Sequence, residues 1–173
     1  MITIFSATNR TGSNTEKVAL AYHRIAESQG VDVQVYRFVD LPEDFILAEA
    51  YGEPPKSFAQ VLTKYILPVE RFVFVIPEYN GSYPGITKLF LDTIHPKTWE
   101  GKKAALVGVA SGRAGNLRGM DHLASVLNYL KVEVLSQKIP LSSIENNLNP
   151  QGEFTNDEYE MLLQKQLAAL ESF

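Results

Sequence analysis

Short β-rich apolar runs alternate with amphipathic helical stretches along this chain, and that alternation limits the available folds more than any other feature. Five runs stand out: Ile2 to Ser6, Val31 to Phe38, Arg71 to Ile76, Ala104 to Ala110 and Val132 to Ser136. Strands separated by helix-length crossovers pair in parallel, because a tight turn can only reverse the chain. The third and fourth runs, Phe-Val-Phe-Val-Ile and Ala-Leu-Val-Gly-Val-Ala, are nearly continuous apolar. Strands of that composition are covered on both faces, which predicts that these two lie at the centre of the sheet.

The stretches between the runs carry helix signals. Ser13-Asn14-Thr15-Glu16 reads as a capping box, after which Val18, Ala21, Tyr22 and Ile25 share a face until Gly30. A second helix is expected over Ser57 to Leu67, ended by Pro68. Pro84 suits the first turn of a third, with Ile86, Leu89, Phe90 and Ile94 on one side. Leu117, Met120, Leu123, Ala124, Leu127 and Leu130 stripe a fourth. A capping box at Thr155 to Glu158 opens a fifth, with Tyr159, Leu162, Leu163, Leu167 and Leu170 inward. Leu41 to Lys56 and Ser142 to Gly152, rich in Pro, Glu, Asn and Gly, read as surface loops. The whole, residues 1–173, is expected to be a single α/β domain: a doubly wound, five-stranded parallel sheet with helices on both faces.

Composition narrows the chemistry. With 45% hydrophobic residues the chain can bury a full core, and a net charge of -4 without single-sign blocks argues against nucleic acid as a partner. The absence of cysteine excludes disulfides, thiolate metal sites and a Cys nucleophile. His23, His95 and His122 do not cluster by spacing, so no metal is expected. Neither a signal peptide nor an apolar run of roughly 18 residues is present, and a cytoplasmic location without membrane partners is expected.

In a doubly wound sheet, ligands bind outside the carboxyl ends of the strands at the topological switch, so the loops after the first, third and fourth strands hold the candidates. The first, Ser6 to Thr15, runs into a helix N-terminus. Its hydroxyls, the Arg10 guanidinium and the free amides of the helix start suit a phosphate. A plain Ser13 cap beside a solvated Arg10 is the competing reading. No Walker or dinucleotide glycine pattern is present, which disfavours a nucleoside triphosphate. The loop after strand three, Pro77-Glu78-Tyr79-Asn80-Gly81-Ser82-Tyr83-Pro84-Gly85, places a positive-φ Asn-Gly turn beside two flat phenols. It suits a planar ring with carbonyls and nitrogens along its edge, or is an ordinary turn. Ser111-Gly112-Arg113-Ala114-Gly115-Asn116, after strand four, allows close backbone approach or simply makes the strand-to-helix turn.

Together, Thr8-Asn9-Arg10-Thr11-Gly12-Ser13, the full Pro77 to Ser82 run and Ser111 to Gly115 resemble the NADPH-dependent FMN reductase family of flavodoxin-like quinone, azo-dye and chromate reductases. The resemblance implies a flavodoxin-like fold, FMN as cofactor and a homodimer or homotetramer. It assigns Thr8, Arg10, Ser13, Asn14 and Thr15 to the phosphate end, and Pro77, Glu78, Tyr79, Asn80, Gly81, Ser111 and Gly112 to the isoalloxazine. Ala7, Thr93 and Asn116 depart from the usual residues, the last two on the nicotinamide side and at the subunit contact. The implied activity is ping-pong hydride transfer from NADPH or NADH through FMN to a quinone or flavin, with no catalytic acid, base or nucleophile. Glu78 is expected to pair with a loop Lys or Arg. An electron-carrier flavodoxin is the non-enzyme alternative, and a receiver domain fits poorly because Ile76-Pro77 ends the third strand without a phospho-acceptor Asp.

Overall fold

The computed structural model describes residues 1–47 and 52–173. Six strands form the sheet: β1 Ile2–Ser6, β2 Val33–Arg37, β3 Arg71–Pro77, β4 Lys103–Val109, β5 Glu133–Val134 and β6 Ile139–Leu141. All pair in parallel, in the order β2-β1-β3-β4-β5, with β6 also on β4. This is the flavodoxin-type order, with the topological switch between β1 and β3. As their composition predicts, β3 and β4 each have neighbours on both sides.

The fifth expected strand, Val132 to Ser136, is corrected by the structure to two short pieces that share one position. Glu133–Val134 pairs with Lys103 and Ala104, and Ile139–Leu141 with Val107 to Val109. Between them, Gln166 closes the gap: its Nε2 donates to Leu106 O at 3.0 Å and to Gln137 O at 2.8 Å, replacing a missing ladder partner. The polar run Ser136-Gln137-Lys138 hid the second piece, since Ile-Pro-Leu is too short to read as a strand.

Strand alternation assigns each side chain to a layer. Ile2, Ile4, Val73, Val75, Ala105 and Val107 face α1 (Asn14–Ser28) and α5 (Asp157–Ser172), meeting Val18, Tyr22, Leu163 and Leu167. Phe5, Phe72, Phe74, Ile76 and Leu106 face the other way, toward α2 (Lys56–Val61), α3 (Gly85–Thr93) and α4 (Leu117–Tyr129). The second face is aromatic. The Phe90 ring centroid lies 5.3 Å from that of Phe5 and 4.5 Å from that of Phe38, and Trp99 packs edge-on to Phe72 at 5.5 Å.

Helix boundaries follow the caps, with small corrections. Ser13 Oγ accepts from Glu16 N–H at 3.2 Å, as its capping box predicts. The last helix is capped by Asn156, whose side chain accepts from Tyr159 N–H at 3.4 Å, one residue after the expected Thr155. The second helix widens over Leu62–Ile66, where Leu67 N–H reaches back to Leu62 O at 2.9 Å before Pro68. Leu117 is exposed rather than part of the α4 stripe. The two presumed surface loops are partly internal. Phe45 is fully buried against Phe58, with ring centroids 5.0 Å apart, and Ile144 is buried beside the sheet. Positions 48–51 of the first loop lie outside the described residues.

Among the described residues Phe90 meets five aromatic rings, those of Phe5, Phe38, Phe45, Phe58 and Trp99, so Phe90→Ala leaves a cavity that no single element can close. A loss of about 3–5 kcal/mol in urea unfolding is expected. Gly115 has φ +55° and its missing Cβ would lie 2.7 Å from the Pro140 carbonyl carbon, so Gly115→Ala displaces β6 from the β4 loop. A lowered urea midpoint is the expected readout.

Candidate functional site

Every strand points its carboxyl end to the same edge of the sheet, and the backbone ladder runs past the strand ends into the loops there. Ala7 N–H donates to Val75 O at 3.0 Å, Glu78 N–H to Val109 O at 3.0 Å and Ala110 N–H to Leu141 O at 3.1 Å. Between these anchored loops lies a cleft of about 520 Å³, a size typical of ligand sites. Arg10, Gly12, Ser13, Asn14 and Thr15 line one part of it. Pro77 to Gly81 and Val109 to Gly112 line the rest with Ile144 and Glu145.

The start of α1 is built for an anion. Ser13 caps Glu16 N–H, which leaves the Asn14 and Thr15 amides of the first turn without an acceptor among the described residues. Their N–H dipoles and the helix dipole favour negative charge in the cleft. Ser13 Oγ uses a lone pair on the cap and keeps its O–H to donate. Arg10 is exposed, and among the described residues its guanidinium meets no carboxylate.

The loop after β3 closes as a tight hairpin. Tyr79 and Ser82 exchange backbone hydrogen bonds of 2.8 and 3.0 Å around Asn80 (φ 52°) and Gly81 (φ 78°). Both central residues therefore occupy the left-handed region, which Asn-Gly adopts most readily. The Asn80 and Gly81 amides find no acceptor among the described residues and stand at the cleft. Arg118 lies along the outer side of this turn, its Nη1 2.8 Å from where a Cβ on Gly81 would sit.

Of the residues expected at the site, Arg10, Ser13, Asn14, Thr15, Pro77, Glu78, Tyr79, Asn80, Gly81, Ser111 and Gly112 meet in this one cleft. Thr8 does not line it. It is 1% exposed, and its Oγ1 shares a 2.7 Å hydrogen bond with the Tyr79 hydroxyl. Glu78, expected to pair with a cation, has no Lys or Arg partner among the described residues, because its backbone is held by Val109 and its side chain is exposed. Tyr83 lies outside the lining, half-buried against the edge of the aromatic core, and that burial raises its phenol above the ordinary value. Arg113 is exposed outside the lining. Asn116 starts α4 at φ 63° and donates from Nδ2 to Ile76 O at 3.1 Å, so it holds β3 to the β4 loop from within the core.

Ile144 and Glu145 are lining residues that the sequence did not announce. Ser143 N–H donates to Gly112 O and Ile144 N–H to Ala110 O, both at 3.1 Å, and these bonds fasten the segment after β6 to the β4 loop. Glu145 Oε1 then accepts from Ser111 Oγ at 2.9 Å. The histidines are apart: His23 meets Glu27 at 3.1 Å, His95 Nδ1 accepts from Lys97 N–H at 3.3 Å, and His122 Nδ1 lies 2.9 Å from Ser82 Oγ. Among the described residues no three His, Asp or Glu side chains gather as a metal site, and no helix is long and apolar enough to cross a membrane.

Comparison with known proteins agrees with this geometry. An NAD(P)H-dependent FMN reductase of Pseudomonas aeruginosa is 32% identical over 126 residues, covering 70% of this chain and 67% of that protein. A 2-hydroxy-1,4-benzoquinone reductase of Burkholderia is 25% identical over 134 residues, or 75% and 73% of the two chains. Among solved structures, the flavoenzyme NAD(P)H:acceptor oxidoreductase FerB of Paracoccus denitrificans superposes with a TM-score of 0.76 at 23% identity, over 99% of this chain and 94% of that one. A flavodoxin of Pseudomonas aeruginosa gives 0.62 at 18% identity, over 98% of each, which establishes the shared fold. Residues 1–146 match the NADPH-dependent FMN reductase family, and with an Arg-bearing helix start facing a Pro-Glu-Tyr-Asn-Gly hairpin, the chain belongs to that family.

Proposed function

We propose that this protein is an FMN-dependent oxidoreductase that takes hydride from NADPH or NADH and passes it, in a ping-pong cycle, to a small acceptor such as a quinone or a flavin. The carrying observation is that one cleft joins a helix start and Arg10 to a hairpin, with Arg10 meeting no carboxylate and two hairpin amides meeting no acceptor among the described residues. The lining fits FMN at both ends: charged and hydroxyl donors for a phosphate, backbone donors and a flat aromatic face for a polar-edged ring.

When bound, FMN supplies the hydride-accepting centre, so the chain needs no catalytic acid, base or nucleophile. Arg10, Ser13, Asn14 and Thr15 hold the phosphate end. Pro77, Glu78, Tyr79, Asn80 and Gly81 border the isoalloxazine, with Ser111 and Gly112 on the other loop. The Asn80 and Gly81 amides would donate to acceptors along the ring edge. Glu78, which meets no Lys or Arg among the described residues, would place a carboxylate beside the ring and oppose added negative charge there. The proposal includes a single FMN-binding domain over residues 1–173, a cytoplasmic setting and a homodimer or homotetramer.

Arg10→Ala and Ser13→Ala test the phosphate end. FMN affinity, read by quenching of flavin fluorescence, is expected to fall at least tenfold for Arg10→Ala, since a charge-assisted hydrogen bond contributes about 1.5–3 kcal/mol. Riboflavin affinity is expected to stay unchanged, and equal losses for both flavins refute this placement. NADPH added anaerobically to the FMN-loaded protein is expected to bleach the visible flavin band within seconds. A band that persists identifies an electron carrier instead.

A further inference from the structure

We infer that Thr8 is a positioning residue that acts on bound flavin through Tyr79 and makes no contact with the phosphate. The inference rests on the FMN reading above. Thr8 stands among the hydroxyls of the β1 loop, yet it is 1% exposed and absent from the cleft lining that includes Arg10, Ser13 and Thr15. Its Oγ1 lies 2.7 Å from the Tyr79 hydroxyl, 71 residues away in sequence, and accepts the Arg10 amide N–H at 3.3 Å.

Two separate restraints therefore act on Tyr79. Its backbone is held by the paired bonds to Ser82, and its phenol oxygen is held by Thr8 at the far end of the ring. A phenol fixed at both ends presents one face and one edge to the cleft. The same bond ties the β1 loop to the β3 hairpin across the topological switch, so the phosphate loop and the ring loop share a fixed separation. Loss of the Thr8 hydroxyl releases the phenol and the hairpin. That penalty applies to any flavin, phosphorylated or not, whereas loss of a phosphate ligand weakens FMN alone.

The experiment compares FMN and riboflavin affinities, by fluorescence quenching, in the parent protein and in Thr8→Val, Tyr79→Phe, the double variant and Thr8→Ser. Thr8→Val is expected to weaken both flavins by the same factor, about threefold to tenfold, the range for one neutral, partly buried hydrogen bond. Tyr79→Phe is expected to match it, the double variant to be no weaker than either single one, and Thr8→Ser to restore affinity. A loss confined to FMN overturns the inference and makes Thr8 a phosphate ligand. No loss in Thr8→Val, additive losses in the double variant, or failure of Thr8→Ser to restore affinity overturns it as well. If the parent protein binds neither flavin, the FMN reading itself fails. Amide hydrogen exchange at Tyr79 and Ser82 then decides on the tether alone: faster exchange in Thr8→Val keeps it, and unchanged exchange ends it.

Discussion

The parallel backbone ladder continues beyond the ends of the strands, and the site depends on that continuation. Ala7 on Val75, Glu78 on Val109 and Ala110 on Leu141 are ladder bonds made by the first residues of the loops. Each loop therefore leaves the sheet in a fixed direction and at a fixed distance from the next. Because all strands run the same way, these departures gather at one edge, where amides that the ladder no longer uses are available to a ligand. A buried amide without a partner is costly, so a cluster of them is stable only where water or a ligand completes it.

The cleft divides its labour by charge and geometry. Arg10 and the start of α1 form the cationic part. The hairpin at Asn80-Gly81 supplies uncharged donors, while Glu78 and Glu145 bring carboxylates into the same lining. Glu145 is held by Ser111, whereas the exposed Glu78 side chain meets no Lys or Arg among the described residues. The resulting site accepts an anionic tail and a polar ring together, which matches a mononucleotide flavin better than a dinucleotide held by glycine backbone alone.

Much of this was legible in the chain because it is local. The nearly continuous apolar runs Phe72 to Ile76 and Ala104 to Ala110 identify strands covered on both sides, and Ser13 with Glu16 marks where α1 begins. Asn80-Gly81 specifies its own hairpin, since few other pairs accept two successive positive φ values. Signals that depended on distant partners were lost. Ile139-Pro140-Leu141 is a strand only because β4 offers a free edge, and Gln166, which completes the gap beside it, lies at a helix position that reads as ordinary. Phe45 and Ile144 sat in segments of loop composition, and their burial follows from what packs above them.

The sequence by itself determined the layered parallel fold, the family and the loops that meet at the ligand edge, because apolar periodicity, caps and turn residues act over a few neighbours. Tertiary structure decided which side chains of those loops face the ligand. It packed Tyr83 against the core edge and Thr8 onto Tyr79, left Arg10 and Glu78 without an ion pair among the described residues, and brought Glu145 into the cleft through bonds from Ser143 and Ile144 to the β4 loop. A side chain's direction depends on the strand beside it, and the neighbouring strands here come from segments tens of residues away.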